Sequence, residues 1–162
     1  AGLQALLVYL SVYLFMTVGA FAVVVYEQRN TGSEQIESYA GLAERSPVVA
    51  ASMLIFMLSL TGIPPTAGFI GKLFILKATV ANPGWWWLGL VLVVNSVISA
   101  FYYMNVVRMM YFHRPDPAVK PRPAVTSLVV IGVCAVATIL LCLQFGILVE
   151  LTAGPMSAAL AG

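Results

Sequence analysis

The sequence predicts an all-α membrane protein with four transmembrane crossings, the second of them a discontinuous helix. Hydrophobic residues make up 61% of the chain and charged residues only 9%, whereas a soluble domain carries roughly 25% charged residues. The apolar residues fall into four stretches, at residues 2–26, 47–80, 84–111 and 124–149. Each stretch reaches the roughly 20 residues that a spanning helix needs. We therefore expect a single transmembrane bundle over residues 1–162.

The loops between these stretches indicate the orientation of the chain. Residues 27–46 and 112–123 would lie on the same side of the membrane, and they carry most of the basic residues: Arg29, Arg45, Arg114, Lys120 and Arg122. Because basic loops stay on the cytoplasmic side, we expect a multi-pass protein of the cytoplasmic membrane with both loops inside. Charged residues at the predicted helix ends are expected to reach the lipid headgroups: Glu27, Arg108 and Glu150.

The second apolar stretch is too long for one straight crossing. Its 34 residues would form a helix of about 51 Å, against a hydrocarbon core of about 30 Å. The middle of the stretch holds four residues of the types that end or bend helices: Gly62, Pro64, Pro65 and Gly68. We therefore expect the stretch to break near residues 61–68, leaving half-helices at about 48–60 and 67–80 joined by an unwound segment near the bilayer midplane.

The predicted break leaves backbone groups that need partners. Pro64 and Pro65 have no N–H, so the carbonyls about four residues earlier, at Leu60 and Thr61, lose their helical donors. Backbone groups in hydrocarbon must be satisfied within the protein or by enclosed water. We expect polar side chains or water there, and we expect Thr66 to cap the second half-helix. Four residues are candidates to line a water path: Ser59, Thr61, Thr66 and Lys77.

Lys72 is the leading candidate for chemistry. It lies roughly ten residues, or about 15 Å of helix, from the outer turn near Asn82, which places it close to the bilayer centre. Desolvation disfavours the charged form of a lysine, while the negative end of the first half-helix favours it. We interpret Lys72 as a group that gains and loses a proton. The alternative is a permanent ion pair with a carboxylate outside this chain. Lys77 lies nearer the outer face, where it could snorkel to the interface.

The sequence lacks the residue patterns that several other kinds of functional site require. Cys134 and Cys142 lie eight residues apart on one apolar stretch, about 12 Å of helix rise, which is too far for a disulfide. The sequence has no metal-binding cluster, no iron–sulfur cysteine pattern, no phosphate-binding glycine loop and no dinucleotide fingerprint. With a net charge of only +2 and no basic run, nucleic acid is not an expected partner. We expect no cofactor, no metal and no catalytic side chain on this chain.

The segment SLTGIPPTAGFIGKLFILKA, preceded by YAGLAERSPVVAASMLIFMLSL and followed by SVISAFYYMNVVRMMY, resembles the antiporter-like membrane subunit N of proton-pumping NADH:quinone oxidoreductase, respiratory complex I. The earlier YLSVYLFMTVGAFAVV is similar to the preceding helix of the same family. The resemblance covers nearly the whole chain but only about the last third of such a subunit. Together with the apolar start at Ala1, it leads us to expect a part of a longer protein.

The resemblance implies a fold of fourteen helices with two inverted repeats, of which this chain would hold part of the second. It places Lys72 at the family's lysine of a discontinuous helix, on the proton route to the outer side. It implies partners as well: other membrane subunits, the preceding helices of the same subunit, and the lipid bilayer. NADH, flavin, iron–sulfur clusters and quinone would all be bound by partner subunits, so this chain would be a non-redox subunit of the enzyme.

Three functional hypotheses remain open at this point. The first is a proton-translocating subunit whose energy comes from quinone reduction elsewhere in the complex. The second is a subunit of a multisubunit sodium/proton antiporter, whose large subunits share GIPP-like breaks followed by a lysine. The third is a structural membrane scaffold in which Lys72 contributes only to packing.

Overall fold

The computed structural model describes residues 2–64, 66–81, 84–117, 119 and 124–143, and these residues form helices and turns with no strand among them. A short 3₁₀ helix at Ile36–Tyr39 precedes the second α-helix. The α-helices are α1 (Gly2–Thr31), α2 (Leu42–Arg45), α3 (Pro47–Thr61), α4 (Ala67–Val80), α5 (Trp86–Phe112) and α6 (Val125–Leu143). Pro65 and the last part of the predicted fourth stretch, residues 144–149, lie outside the described residues.

Three helices in the described part of the chain are long and apolar enough to cross a membrane. They are Tyr9–Thr31 within α1, Trp86–Phe112 and Val125–Leu143. The predicted class, an all-α membrane protein, is confirmed for these residues. α3 and α4 contain 15 and 14 residues, so each would be only about 21 to 23 Å long. Neither of the two covers the hydrocarbon core by itself.

The first helix is longer than the predicted stretch at residues 2–26. α1 runs on to Thr31 and ends at Gly32, whose φ of 74° is the left-handed conformation that glycine adopts readily. The N–H of Gly32 donates to the carbonyl of Gln28 at 2.8 Å. Glu27, which lies in this extension of the helix, is buried. The connection that the sequence placed at 27–46 therefore begins five residues later.

The core lies where α1 packs against α3. Val12, Met16 and Val23 on α1 are almost completely buried, as are Met53 and Phe56 on α3. α1 also contacts α4 and α6, so it is the central element of the described bundle. The two helices approach closely at Gly19, where an added Cβ would overlap the ring of Phe56. A glycine on α1 therefore sets the distance between the helices that carry the core.

We predict that Gly19→Ala destabilises the protein by about 1–3 kcal/mol, because the buried ring of Phe56 would have to move. Gly132→Ala is the matched control, since it also lies inside a long helix but an added Cβ there meets nothing within 4 Å. The measurement is the aggregation temperature of the detergent-solubilised protein. Equal temperatures for the two variants would contradict this description of the α1–α3 contact.

Candidate functional site

The chain leaves helical geometry at Gly62 and returns to it at Ala67. Gly62 has a φ of 81°, and its N–H donates to the carbonyls of Leu58 and Ser59 at 3.0 and 3.1 Å. The N–H of Ile63 also reaches the Leu58 carbonyl, at 3.2 Å. The bond from Gly62 to the Ser59 carbonyl and the bond from Ile63 to the Leu58 carbonyl together form a Schellman motif. This motif ends a helix sharply and favours glycine. The motif satisfies the carbonyls of Leu58 and Ser59 but leaves those of Leu60 and Thr61 pointing beyond the helix end.

Lys72 supplies the missing donors to these two carbonyls. Its Nζ lies 2.9 Å from the Leu60 oxygen and 2.9 Å from the Thr61 oxygen. The side chain reaches back from α4 to the negative end of the α3 dipole, where a cation is favoured. The sequence predicted unpaired carbonyls at this position, but it did not predict that the lysine itself would bind them. Only the tertiary arrangement of α3 and α4 places the amine beside them.

The start of α4 differs from the sequence prediction. Thr66 is the N-cap residue by backbone position, but its side chain makes no capping hydrogen bond. Its Oγ1 is buried without a partner among the described residues. Instead, the N–H of Gly68 donates to Oγ of Ser59 at 3.1 Å. The predicted Thr66 cap is therefore wrong, because a serine from the preceding helix occupies the capping position.

Gly68 allows α4 to lie directly against the end of α3. An added Cβ at Gly68 would collide with the carbonyl oxygen of Ser59, and both residues are buried. The close approach brings the first turn of α4 alongside the last turn of α3. This arrangement puts the second turn of α4, which carries Lys72, within reach of the α3 terminus.

Two cavities flank the break. The larger, of about 280 Å³, lies between α4 and α5 and is lined by Thr61, Gly62, Lys72 and Ser96, with apolar side chains around them. The smaller, of about 180 Å³, lies between α3, α4 and α6, and Ser59, Thr66 and Thr138 contribute to its wall. Since water occupies about 30 Å³ in the liquid, both cavities have room for several molecules. Lys77, the fourth candidate to line a water path, is exposed on α4.

A buried ion pair lies near the C-terminal end of α1. Glu27 is fully buried and Arg45 nearly so, and Arg45 Nη2 lies 3.0 Å from Glu27 Oε2. The same nitrogen donates to the Ser38 carbonyl at 2.9 Å. The expectation that Glu27 reaches the headgroups is therefore wrong, because the 32–46 connection folds over it.

Burial, with help from the carboxylates of Glu27 and Glu34, raises the pKa of Tyr39 to about 12.

The sequence comparisons identify the family. Residues 1–99 match the model of a family described as NADH:quinone oxidoreductase/Mrp antiporter, transmembrane. The chain belongs to this antiporter family. It is 43% identical over 162 residues to NADH-quinone oxidoreductase subunit N 2 of Sorangium cellulosum, covering 97% of this chain and 32% of that protein. It is 46% identical over 136 residues to subunit N of a Paenibacillus species, covering 82% of this chain and 26% of the relative.

A solved structure of respiratory complex I is similar to this chain. The chain is similar to one chain of respiratory complex I from Thermus thermophilus with bound aureothin, with a TM-score of 0.67 and 27% identity. The match covers 91% of this chain and 34% of the other. The predicted resemblance to the antiporter-like subunit N is confirmed, and so is the multi-pass membrane class. The chain spans less than a third of the length of the two subunit N relatives.

We predict that Ser59→Ala destabilises this antiporter-family chain by about 1–3 kcal/mol, because the buried N–H of Gly68 would lose its acceptor. Ser11→Ala is the control: its Oγ only donates to the Leu7 carbonyl, at a partly exposed position on α1. Thermal aggregation of the solubilised protein and its resistance to protease measure the difference. If Ser59→Ala proved as stable as Ser11→Ala, the Ser59 cap would not hold the start of α4.

Proposed function

We propose that this chain is the part of a subunit N that moves protons, through Lys72, in a proton-pumping NADH:quinone oxidoreductase. The observation that carries the proposal is the pair of 2.9 Å hydrogen bonds from Lys72 Nζ to the Leu60 and Thr61 carbonyls. The lysine amine is hydrogen-bonded to the C-terminal end of a helix and lies beside a cavity with room for water. These are the components of a proton-binding site. Membership of the antiporter family supports the same assignment.

In this proposal α3 and α4 together make one discontinuous crossing, so that the chain crosses the membrane four times. Gly62, Pro64 and Pro65 would interrupt the helix, and Gly68 lets the start of α4 lie close against the end of α3. Helices α1, α5 and α6 provide the other crossings. The loops at 27–46 and 112–123 would face the cytoplasm, in accordance with their basic residues. The Lys72 amine would then lie near the midplane, where a charge interacts strongly with the membrane field.

The two protonation states of Lys72 differ in how well they suit the end of α3. The ammonium form carries three donors and a full positive charge, and it satisfies both carbonyls while interacting favourably with the helix dipole. Proton loss removes the charge and weakens both hydrogen bonds, since charge-assisted bonds are the stronger ones. Water from the adjacent cavity could then take up the donor role and carry the released proton.

The energy for proton release would come from outside this chain. Moving one charge through 100 mV takes about 2.3 kcal/mol, which quinone reduction in other subunits could supply by shifting buried charges near Lys72. NADH, flavin, iron–sulfur clusters and quinone would be bound by those partners, and this chain would contribute no redox step. Its neighbours would be the other membrane subunits, further helices of the same subunit, and lipid.

A second candidate function is cation/proton exchange in a multisubunit sodium/proton antiporter. The description of the matching family includes the Mrp antiporters, and the same Lys72 site would serve such a protein. The ion gradient would then supply the energy. Proton flux that depends on sodium, in vesicles given no NADH and no quinone, would favour this function over the first.

We predict that Lys72→Ala in the assembled complex lowers the number of protons pumped per electron, because the proton-binding group is removed. Arg108→Ala, which removes an exposed cation from the inner end of α5, is the control for the loss of a positive charge. The measurement is proton uptake by membrane vesicles against NADH oxidation. An unchanged proton-to-electron ratio in Lys72→Ala would overturn the proposal.

Lys72→Arg separates proton transfer from packing. Arginine keeps the positive charge and the donors for Leu60 and Thr61 but does not release a proton in proteins. We therefore predict that Lys72→Arg assembles with near-normal thermal stability and fails to pump. A purely structural lysine would give the opposite pattern: Lys72→Arg would pump normally, and Lys72→Ala would be unstable.

A further inference from the structure

Ser96 is a polar side chain that α5 contributes to the wall of the larger cavity, the one that Lys72 also lines. The other side chains that α5 places in this wall are apolar: Leu92, Val93, Val97 and Ala100. On the α3 and α4 side the wall carries the hydroxyl of Thr61 and the amine of Lys72. Among the described residues, Ser96 is therefore the polar side chain that α5 offers to the contents of the cavity.

The hydroxyl protons in the cavity wall are used within their own helices. Ser96 Oγ donates to the Leu92 carbonyl at 2.9 Å, and Thr61 Oγ1 donates to the Met57 carbonyl at 2.7 Å. A hydroxyl group has one proton to donate and two lone pairs that accept. Each of these oxygens can therefore only accept hydrogen bonds from a molecule in the cavity.

The ammonium of Lys72 is the hydrogen-bond donor of this cavity. It carries three N–H groups, of which two bond to the carbonyls of Leu60 and Thr61. Its side chain passes close to Gly62, where an added Cβ would lie 3.2 Å from Nζ. Within the described contacts, one N–H is left for the cavity. A water molecule there can accept from Lys72 and donate to a hydroxyl oxygen of the wall.

The hydroxyl of Ser96 decides whether water is stable on the α5 side of the cavity. The volume of about 280 Å³ has room for several water molecules, but each needs two to four polar partners. Lys72 and Thr61 provide partners on one side. On the α5 side, Ser96 provides the partner within the described part of the chain, and the remaining lining is apolar. Without its hydroxyl, water on that side would have only other water to bond to.

We propose that Ser96 positions the water molecule that takes the proton from Lys72. The inference rests on the proposed function of Lys72. In this step an N–H bond of the ammonium breaks and an O–H bond forms, which gives the neutral amine and a hydronium ion. The hydronium ion donates a charge-assisted hydrogen bond to Ser96 Oγ, whose own proton is held by the Leu92 carbonyl. Ser96 keeps its proton throughout, so it is a positioning residue.

Substitution of Ser96 in the assembled complex tests this proposal. Ser96→Ala removes the acceptor. Ser99→Ala is the matched control, because Ser99 Oγ also donates to the carbonyl four residues earlier, at 2.6 Å, but does not line the cavity. We expect Ser96→Ala to slow proton pumping by membrane vesicles about fivefold, the effect of one hydrogen bond, and Ser99→Ala to pump normally. Ser96→Thr keeps a hydroxyl at this position and should restore the rate.

The solvent isotope effect separates proton transfer from packing. The rate of pumping is measured in H₂O and in D₂O for each variant. If the transfer from Lys72 to water limits Ser96→Ala, the ratio of the two rates will be larger than in the unsubstituted complex. A packing defect would leave the ratio unchanged. If Ser96→Ala does not assemble, Ser96→Cys repeats the test, because its sulfur is similar in size but a weak acceptor.

A normal pumping rate or an unchanged isotope ratio in Ser96→Ala would overturn the inference. Equal slowing in Ser99→Ala would overturn it too, as would a Ser96→Thr variant that pumps no better than Ser96→Ala. Slow pumping in Lys72→Ala together with normal pumping in Ser96→Ala would reject the role of Ser96 and leave the proposed function standing. Normal pumping in Lys72→Ala would instead reject the proposed function and this inference with it.

Discussion

The contact between the Lys72 amine and the end of α3 is the interaction on which the rest of the site depends. In the proposed crossing the carbonyls of Leu60 and Thr61 would have no bulk water to turn to, and an isolated ammonium would be costly for the same reason. The amine gives the two carbonyls a hydrogen-bond donor, and the carbonyls give the amine two acceptors, since Nζ lies 2.9 Å from both oxygens. In a continuous helix about 18 Å of rise would separate Leu60 from Lys72, beyond the reach of a lysine side chain. The turn at Gly62 and the close approach of the helices at Gly68 shorten this distance to a hydrogen bond.

The described bundle is organised around α1. Its middle packs on Phe56 through Gly19, and its Tyr9 lies against Gly71, one residue before Lys72. Near its C-terminal end it carries the buried carboxylate of Glu27, which pairs with Arg45 from the connection that follows. Removing one member of such a pair would leave a buried charge without its partner, which is strongly unfavourable. One long helix thus contacts both the lysine site and the loop at the opposite end.

Composition and residue types by themselves determined much of this protein. The low charge and the long apolar stretches specified a helical membrane protein, because only segments that satisfy their own backbone can lie in hydrocarbon. The prolines and glycines specified where the second stretch would be interrupted and which carbonyls would be left over, because these rules act within a few residues. Lys72 was a candidate for proton transfer because it lies deep in an apolar run.

The tertiary structure alone decided how distant residues pair. Nothing in the sequence indicated that Ser59 rather than Thr66 would receive the Gly68 N–H, that Lys72 would bind the Leu60 carbonyl, or that Glu27 would be buried with Arg45. The members of these pairs lie between nine and eighteen residues apart. At such separations the path of the chain through its turns and the packing of its helices determine which atoms meet, and local propensities carry no information about that path.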